Sequence, residues 1–313
     1  MQFPRSLALL LASLALWLGG CSGPHLVETP YAMRNQEARD RYAALPASIQ
    51  TPDIPVLYVT NRAVDKEATH GPAYGYKRAR EMSYGVARVG LDPVPTWDQL
   101  VHDSTTFPRD QRYGLAVADV EPVGTVEPLM KYMAVADGRI VVARGGSASL
   151  HSARDEFDSM FDLWFGPGAS GDAYLFVHGF NNTFDDAILR VAETWHLMGR
   201  PGVPIGFSWP AGSGGLKGYA YDRESGEYSV VPLKSLIWML PASPRIKHIH
   251  ILAHSRGTDV ATTALREIQF EIRGLYDRSL FAPLAGKPFI DHVDAGTEVF
   301  EILKLSTLVL AAP

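Results

Sequence analysis

The side chain with the clearest chemical potential in this sequence is Ser255, which lies in residues 253–257 (AHSRG). An apolar run ends just before this serine and an amphipathic helical pattern begins just after it, which predicts a tight strand-to-helix turn. A turn of this kind needs small residues two positions before and two after the serine, and Ala253 and Gly257 meet that need. We therefore predict that Ser255 is a catalytic nucleophile. The alternative is a serine that only caps the helix.

A second candidate segment, residues 178–182 (HGFNN), directly follows another apolar run. The carboxyl ends of parallel strands meet at one edge of a sheet, so this loop is expected to lie at the same edge as Ser255. We interpret His178 as a buried residue that holds the loop and has no acid–base role.

These two segments resemble the nucleophile elbow and the oxyanion-hole loop of the α/β hydrolases. With residues 57–62 (LYVTNR) and 207–210 (FSWP), they resemble a bacterial α/β-hydrolase family grouped with esterases and lipases, whose biological role is largely uncharacterised. The resemblance extends over roughly residues 55–313.

The resemblance implies a serine hydrolase of esterase or lipase type, acting through an acyl-enzyme without a cofactor. It also implies that the backbone amides of Phe180 and Arg256 bind the anionic oxygen of the tetrahedral intermediate. It leaves the substrate open between a small-molecule ester and a lipid ester.

The same resemblance requires an acid and a histidine after the nucleophile. Only His292 follows Ser255, and its neighbours are Asp291 and Asp294. Adjacent side chains of an extended chain point in opposite directions, so Asp291 and His292 cannot form the acid–base pair. We therefore assign neither partner here, expect both beyond residue 313, and expect this chain to be truncated and nearly inactive.

Three other interpretations fit parts of the sequence. His248, His250 and His254 could be a metal cluster, but no carboxylate follows at the spacing expected of ligands, so we predict no metal site. Arg256 could recognise a charged substrate, but it is more simply a solvated arginine paired with Asp259. The third alternative is a non-catalytic envelope lipoprotein domain that uses the hydrolase fold for binding.

The elements that must position these residues fall into two parts. Up to about residue 150 the chain has strand-like runs, and afterwards strands alternate with helices, which indicates a parallel sheet. The predicted strands are residues 55–60, 84–89, 140–143, 173–177, 203–209, 248–253 and 305–310. We predict an α/β fold: a doubly wound, mostly parallel sheet of the α/β-hydrolase type with N-terminal antiparallel strands and an incomplete C-terminal part. The last run is expected to be an interior strand, buried on both faces.

The amino terminus resembles a bacterial lipoprotein signal. One positive charge and the apolar residues 7–18 precede Gly19 and Gly20, and Cys21 follows immediately. We predict that Cys21 is lipidated and anchors the protein to a membrane, most simply the outer membrane, facing the periplasm. The alternative is an ordinary signal peptide with a chance cysteine.

This assigns residues 1–20 to a signal peptide and 21–52 to a tether, with a short helix around residues 35–45. Residues 53–313 form the hydrolase domain, with N-terminal strands to residue 150 and the core from residue 151.

Composition excludes several other classes of protein. The chain is 46% hydrophobic and 20% charged, which is typical of a globular domain. Its formal net charge is −5 and it has no basic run, so we expect no nucleic-acid partner. A single cysteine excludes a disulfide framework.

Overall fold

The architecture is that of a computed structural model, which describes residues 24–65, 74–128, 133–136, 139–142, 147–212, 214–278 and 298–311. Within these residues a seven-stranded sheet has the order β3-β2-β1-β7-β6-β8-β9, and β4 and β5 form a separate hairpin. The strands are β1 (Ile54–Val64), β2 (Tyr74–Asp92), β3 (Gly114–Val126), β4 (Met133–Ala136), β5 (Arg139–Val142), β6 (Gly171–Val177), β7 (Val203–Ser208), β8 (Ile246–His254) and β9 (Leu305–Ala311).

The sheet is parallel from β1 through β7, β6 and β8 to β9, whereas β2 pairs antiparallel with both β1 and β3. This confirms the predicted α/β fold with antiparallel strands on its N-terminal side. Parallel strands covered by helices are apolar along their whole length, and eight consecutive residues of β1 after its start are buried accordingly.

The described helices are α1 (Gln36–Ala43), α2 (Trp97–Thr105), α3 (Ser147–Met160), α4 (Asp162–Phe165), α5 (Phe184–Leu197), α6 (Gly215–Tyr228), α7 (Val230–Ala242), α8 (Arg256–Arg278) and α9 (Val299–Ile302). Helix α5 begins with a capping box, in which the Thr183 side chain and the Asp186 side chain each bind the other's backbone N–H. Across the described ranges, none of the helices is both long and apolar enough to cross a membrane.

Residues 24–52 pack on the domain, which corrects their interpretation as a free tether. Tyr42, on the predicted short helix, is fully buried, and its hydroxyl donates to the carbonyl of His196. The backbone N–H of Val27 donates to Glu193, and Thr29 donates to the carbonyl of Asp103. The polar composition misled the prediction, because these contacts are made by single residues spread along an irregular chain. Cys21 lies outside the described residues.

Strand β9 forms where it was predicted but is less buried than expected. Among the described residues it pairs with β8 alone and lies at the edge of the sheet, and Leu308, Val309 and Leu310 are each exposed by about two-fifths. The expectation of an interior strand was made for a longer chain, so this edge position does not test it and it stays a prediction.

Candidate active site

Ser255 occupies the turn between β8 and α8. Its φ is +51°, a left-handed backbone conformation that costs a residue with a side chain on the order of 1–3 kcal/mol. The turn is held on both sides, because the Ser255 N–H donates to the carbonyl of Ala311 on β9 and its carbonyl accepts from the backbone and side chain of Thr258. A strained serine held between a buried strand and a helix is the geometry of a nucleophile elbow.

Two glycines let other parts of the chain approach this turn closely. A Cβ on Gly257 would lie 2.4 Å from the carbonyl oxygen of His178 and 2.5 Å from that of Val177. A Cβ on Gly179 would lie 2.8 Å from the Cβ of Ser255. The predicted requirement for a small residue at position 257 thus has a direct cause: the start of α8 packs against the end of β6. The HGFNN loop consequently lies against Ser255.

One backbone amide of the loop and one of α8 have no hydrogen-bond acceptor among the described residues. Over the described part of the chain, neither the Phe180 amide nor the Arg256 amide donates a hydrogen bond, as expected for Arg256 because it is the first residue of α8. The loop is braced through Asn182, whose side-chain amide donates to the carbonyl of Phe180 at 2.8 Å. The Phe180 ring packs on that of Tyr219, with centroids 5.5 Å apart. The two predicted oxyanion donors are therefore unoccupied and on segments that touch.

His178 is buried among polar backbone and aromatic contacts. Its ring stacks on Trp209 with centroids 4.9 Å apart and planes within 4°. Its two nitrogens lie 2.9 Å from the Gly179 carbonyl and 3.1 Å from the Trp209 carbonyl. Burial, together with the nearby Arg62 charge, lowers the pKa of His178 to about 3, so the ring is neutral at pH 7. This arrangement holds the loop and gives the ring no access to Ser255.

Arg62, at the end of β1, ties together the loops around the site. Only 1% of the residue is exposed. Its guanidinium donates to the Asn182 carbonyl at 2.7 Å, the Ala211 carbonyl at 2.8 Å and the Ser208 hydroxyl at 2.9 Å. Burial lowers the pKa of Arg62 to about 9, which still leaves it charged at neutral pH. One cation thereby joins the loops that follow β6 and β7.

Asp222 on α6 makes the complementary anionic contact. The carboxylate is buried, and its Oδ2 accepts from the backbone N–H of Asn181 at 2.9 Å and of Gly212 at 3.3 Å. Asn181 has a left-handed φ of +54°, so this hydrogen bond fixes a strained residue of the HGFNN loop. Asp222 and Arg62 thus hold the same two loops from opposite sides.

Arg256 takes the simpler of its two predicted roles. It donates to Asp259 at 2.8 Å and to the Tyr219 hydroxyl at 3.1 Å, and the bond to Asp259 raises its pKa. Asp259 is therefore occupied by an arginine and is not directed at a histidine.

The histidines considered as a metal cluster do not converge. His248 and His250 flank Asp172, at 3.0 Å and 3.4 Å, along β8 before its carboxyl end, whereas His254 is exposed beside Gly179. The carboxylate beside these histidines is Asp172 of β6, which precedes them by 76 residues and so does not appear in the local sequence pattern. In the described part of the chain, metal-ligand spacing occurs elsewhere, at three residues whose ligand atoms lie within 4.8 Å of one another: His102, Asp103 and Asp110.

No described side chain supplies Ser255 with a base. Within the described residues, no side chain forms a hydrogen bond with the Ser255 hydroxyl, and His178 and His196 are buried in other contacts. His292, Asp291 and Asp294 lie outside the described residues.

Two cavities flank the elbow and offer space for a ligand. One, of about 490 Å³, is lined on one side by His178, Asn182 and His254 and otherwise mostly by apolar side chains. The other, of about 590 Å³, lies between α6 and α8 and is lined by Tyr219, Arg256 and charged residues. Both have the size of small-molecule sites.

Arg62 and Asp222 received no role from the sequence alone. Arg62 could have been identified from the sequence, because a charged residue near the end of a buried strand is unusual. Asp222 gave none, since it lies on a polar helix.

Residues 167–313 match the model of a family described as "Alpha/beta hydrolase of unknown function (DUF900)". No curated protein and no solved structure matches the chain significantly. The matched region contains the elbow, the HGFNN loop and strands β6 to β9. The match confirms the predicted resemblance to the α/β hydrolases over this part of the chain.

Proposed function

We propose that the protein is a serine hydrolase of the esterase or lipase type, with Ser255 as its nucleophile. The supporting observation is the strained turn at Ser255, packed against a loop in which the Phe180 amide donates no hydrogen bond within the described residues. In the proposed reaction the Ser255 oxygen attacks the carbonyl carbon of an ester, and the alcohol leaves with a proton. Water then releases the acid and restores the serine. The Phe180 and Arg256 amides stabilise the anionic oxygen of both tetrahedral intermediates.

The acid and histidine of the triad are proposed to come from outside the described residues. His292 is one candidate, and residues beyond position 313 are the source that the family order favours. Without a histidine the serine keeps its proton, and loss of a triad member typically lowers the rate on the order of 10⁴-fold or more. A variant that lacks this histidine should therefore hydrolyse esters very slowly.

A fluorophosphonate probe tests the nucleophile. We expect slow labelling of the chain that is lost in Ser255→Ala and kept in Ser159→Ala, a surface serine on α3. Labelling that persists in Ser255→Ala would exclude Ser255. If His292→Ala abolishes measured esterase activity, the histidine belongs to this chain and our expectation of a partner beyond residue 313 is wrong.

The absence of a described base favours one alternative, a non-catalytic envelope domain that binds ligands with the hydrolase fold. A folded protein that never reacts at Ser255, even in a version extended past residue 313, would support this alternative.

We further propose that Cys21 carries a lipid anchor, which places the protein on a bacterial membrane facing the periplasm. The support is the apolar run that ends in Gly19, Gly20 and Cys21. Metabolic labelling with a fatty acid should be lost in Cys21→Ala, and label that persists in this variant would refute the anchor.

A further inference from the structure

The chain is fixed to one place on the domain from Pro24 onward. The Pro24 carbonyl accepts from Leu115 at 2.8 Å, the Leu26 N–H donates to Tyr113 at 2.9 Å, and His25 forms a β-bridge with Gly114. These partners surround the first residue of β3.

The strand directions show which edge of the sheet this is. Gly114 pairs with Asp92, the last residue of β2, and β2 runs antiparallel to β1. Gly114 therefore lies at the end of the sheet where the parallel strands begin, and we call this end the basal edge. Ser255 follows the last residue of β8 and lies at the opposite edge. A strand of seven residues, such as β6, separates the two edges by roughly 20 Å.

The chain between the proposed anchor and the domain is short. Cys21 precedes Pro24 by three residues, and consecutive Cα atoms are at most 3.8 Å apart, so the two Cα atoms are separated by no more than about 11 Å. A tether of 32 residues would have left the domain free to turn in any direction. A three-residue connection holds the basal edge close to the lipid.

The surface near this attachment carries exposed apolar side chains. Tyr31 is 87% exposed, Val94 76% and Phe107 52%, with Arg34 stacked 3.7 Å over the Phe107 ring. Aromatic and arginine side chains are the types that prefer the interface between lipid and water. We call residues 27–34, 93–95 and 107–112 the basal surface. The basal surface also contains acidic residues, so its contact with the membrane depends on the short connection and the apolar side chains and does not depend on net charge.

We infer that the basal surface rests on the membrane that holds Cys21, and that the Ser255 site faces away from it into the aqueous phase. This inference rests on the proposed lipidation of Cys21 and deepens the proposed function, because it selects a substrate class. An active site held at the far edge of the sheet is suited to a water-borne ester, whereas the lipids of the anchoring leaflet lie at the other end of the molecule.

Fluorescence quenching from the lipid phase tests the orientation. Because Cys21 would be acylated, one added cysteine can be labelled selectively in the full lipidated protein, bound to phosphatidylethanolamine and phosphatidylglycerol vesicles that contain a spin-labelled lipid. We compare Tyr31→Cys on the basal surface with Glu224→Cys at the opposite edge. Glu224 on α6 forms an ion pair with Arg78 of β2. Arg78 lies beside Arg62 of β1 in the sheet, beyond the carboxyl end of the β1–β7 pairing. Most of the fluorescence at position 31 should be lost, and that at position 224 should be unchanged.

A matched control changes only the length of the connection. Roughly 20 Gly/Ser residues inserted between Gly23 and Pro24 add a flexible chain with an average span of about 25 Å, which should restore most of the fluorescence at position 31.

The possible failures can be told apart. Equal quenching at positions 31 and 224 in protein that floats with the vesicles would refute the orientation and leave the anchor standing. Protein that does not float would refute the anchor, and the orientation with it. Reaction of Ser255 with a fluorophosphonate is read separately and reports on the proposed nucleophile alone.

Discussion

Replacing Gly257 by alanine tests whether the close packing of the elbow is essential to the fold. The added Cβ would lie 2.4 Å and 2.5 Å from two backbone oxygens of residues 177 and 178, closer than carbon and oxygen approach without displacement. Overpacking of this kind typically costs about 1–3 kcal/mol, and the neighbouring atoms are backbone, which cannot rotate away. Alanine regains up to about 1 kcal/mol of helix propensity in the first turn of α8. We expect a net loss of about 2 kcal/mol in the free energy of unfolding.

Urea denaturation followed by circular dichroism measures this loss, with Gly226→Ala as the matched control. Gly226 lies within α6, and a Cβ there would meet only a methyl group of Val260 at 3.3 Å. The control should therefore be neutral or slightly more stable than the wild type. A Gly257→Ala protein as stable as the Gly226→Ala protein would refute the argument, because it would mean that α8 and β6 do not touch at this position.

Three further outcomes are expected. Ser255→Gly should be more stable than Ser255→Ala by about 1 kcal/mol, because both lose the hydroxyl but only glycine adopts a positive φ without strain; equal stabilities would mean that the turn is unstrained. Arg62→Met should lower the free energy of unfolding by about 3 kcal/mol or more and speed amide exchange in residues 178–182, because it leaves buried carbonyls unpaired. Arg78→Met at the rim should leave that exchange unchanged. Below about pH 6.5, the free energy of unfolding should fall by about 1 kcal/mol per pH unit for each of the two buried histidines, His178 and His196. The unfolded chain then takes up protons that the buried rings cannot. Urea titrations that give the same free energy of unfolding between pH 7 and 5 would contradict this.

The parts of the fold that could be predicted are those encoded over short stretches of sequence. The apolar run before Ser255 and the helical pattern after it predicted β8 and α8, and both form where they were expected. These signals work because helix caps and buried strands depend on residues close together in the chain. The elbow and the HGFNN loop could be placed at the same edge of the sheet for a similar reason, since parallel topology fixes where strand ends meet.

The residues that escaped prediction act over long separations in sequence. Arg62 contacts a carbonyl 120 residues away, and Asp222 contacts an amide 41 residues away. Neither contact produces a periodic pattern, because each joins one buried side chain to backbone groups of irregular loops. A composition argument fails for the same reason at residues 24–52, where Tyr42 alone buries an aromatic ring within an otherwise polar segment.

That failure matters for function because it reverses what the N-terminal segment does. A free tether would let an anchored hydrolase sample every orientation, and the position of its active site relative to the membrane would carry no meaning. Backbone hydrogen bonds of Pro24 and Leu26 instead join the segment to the basal edge of the sheet, and Val27, Thr29 and Tyr42 bind it to helices α2 and α5. Since β-strands are stiff over their length, fixing one edge also fixes the direction in which the other edge opens. An anchor at Cys21 would then determine from which side a substrate reaches Ser255.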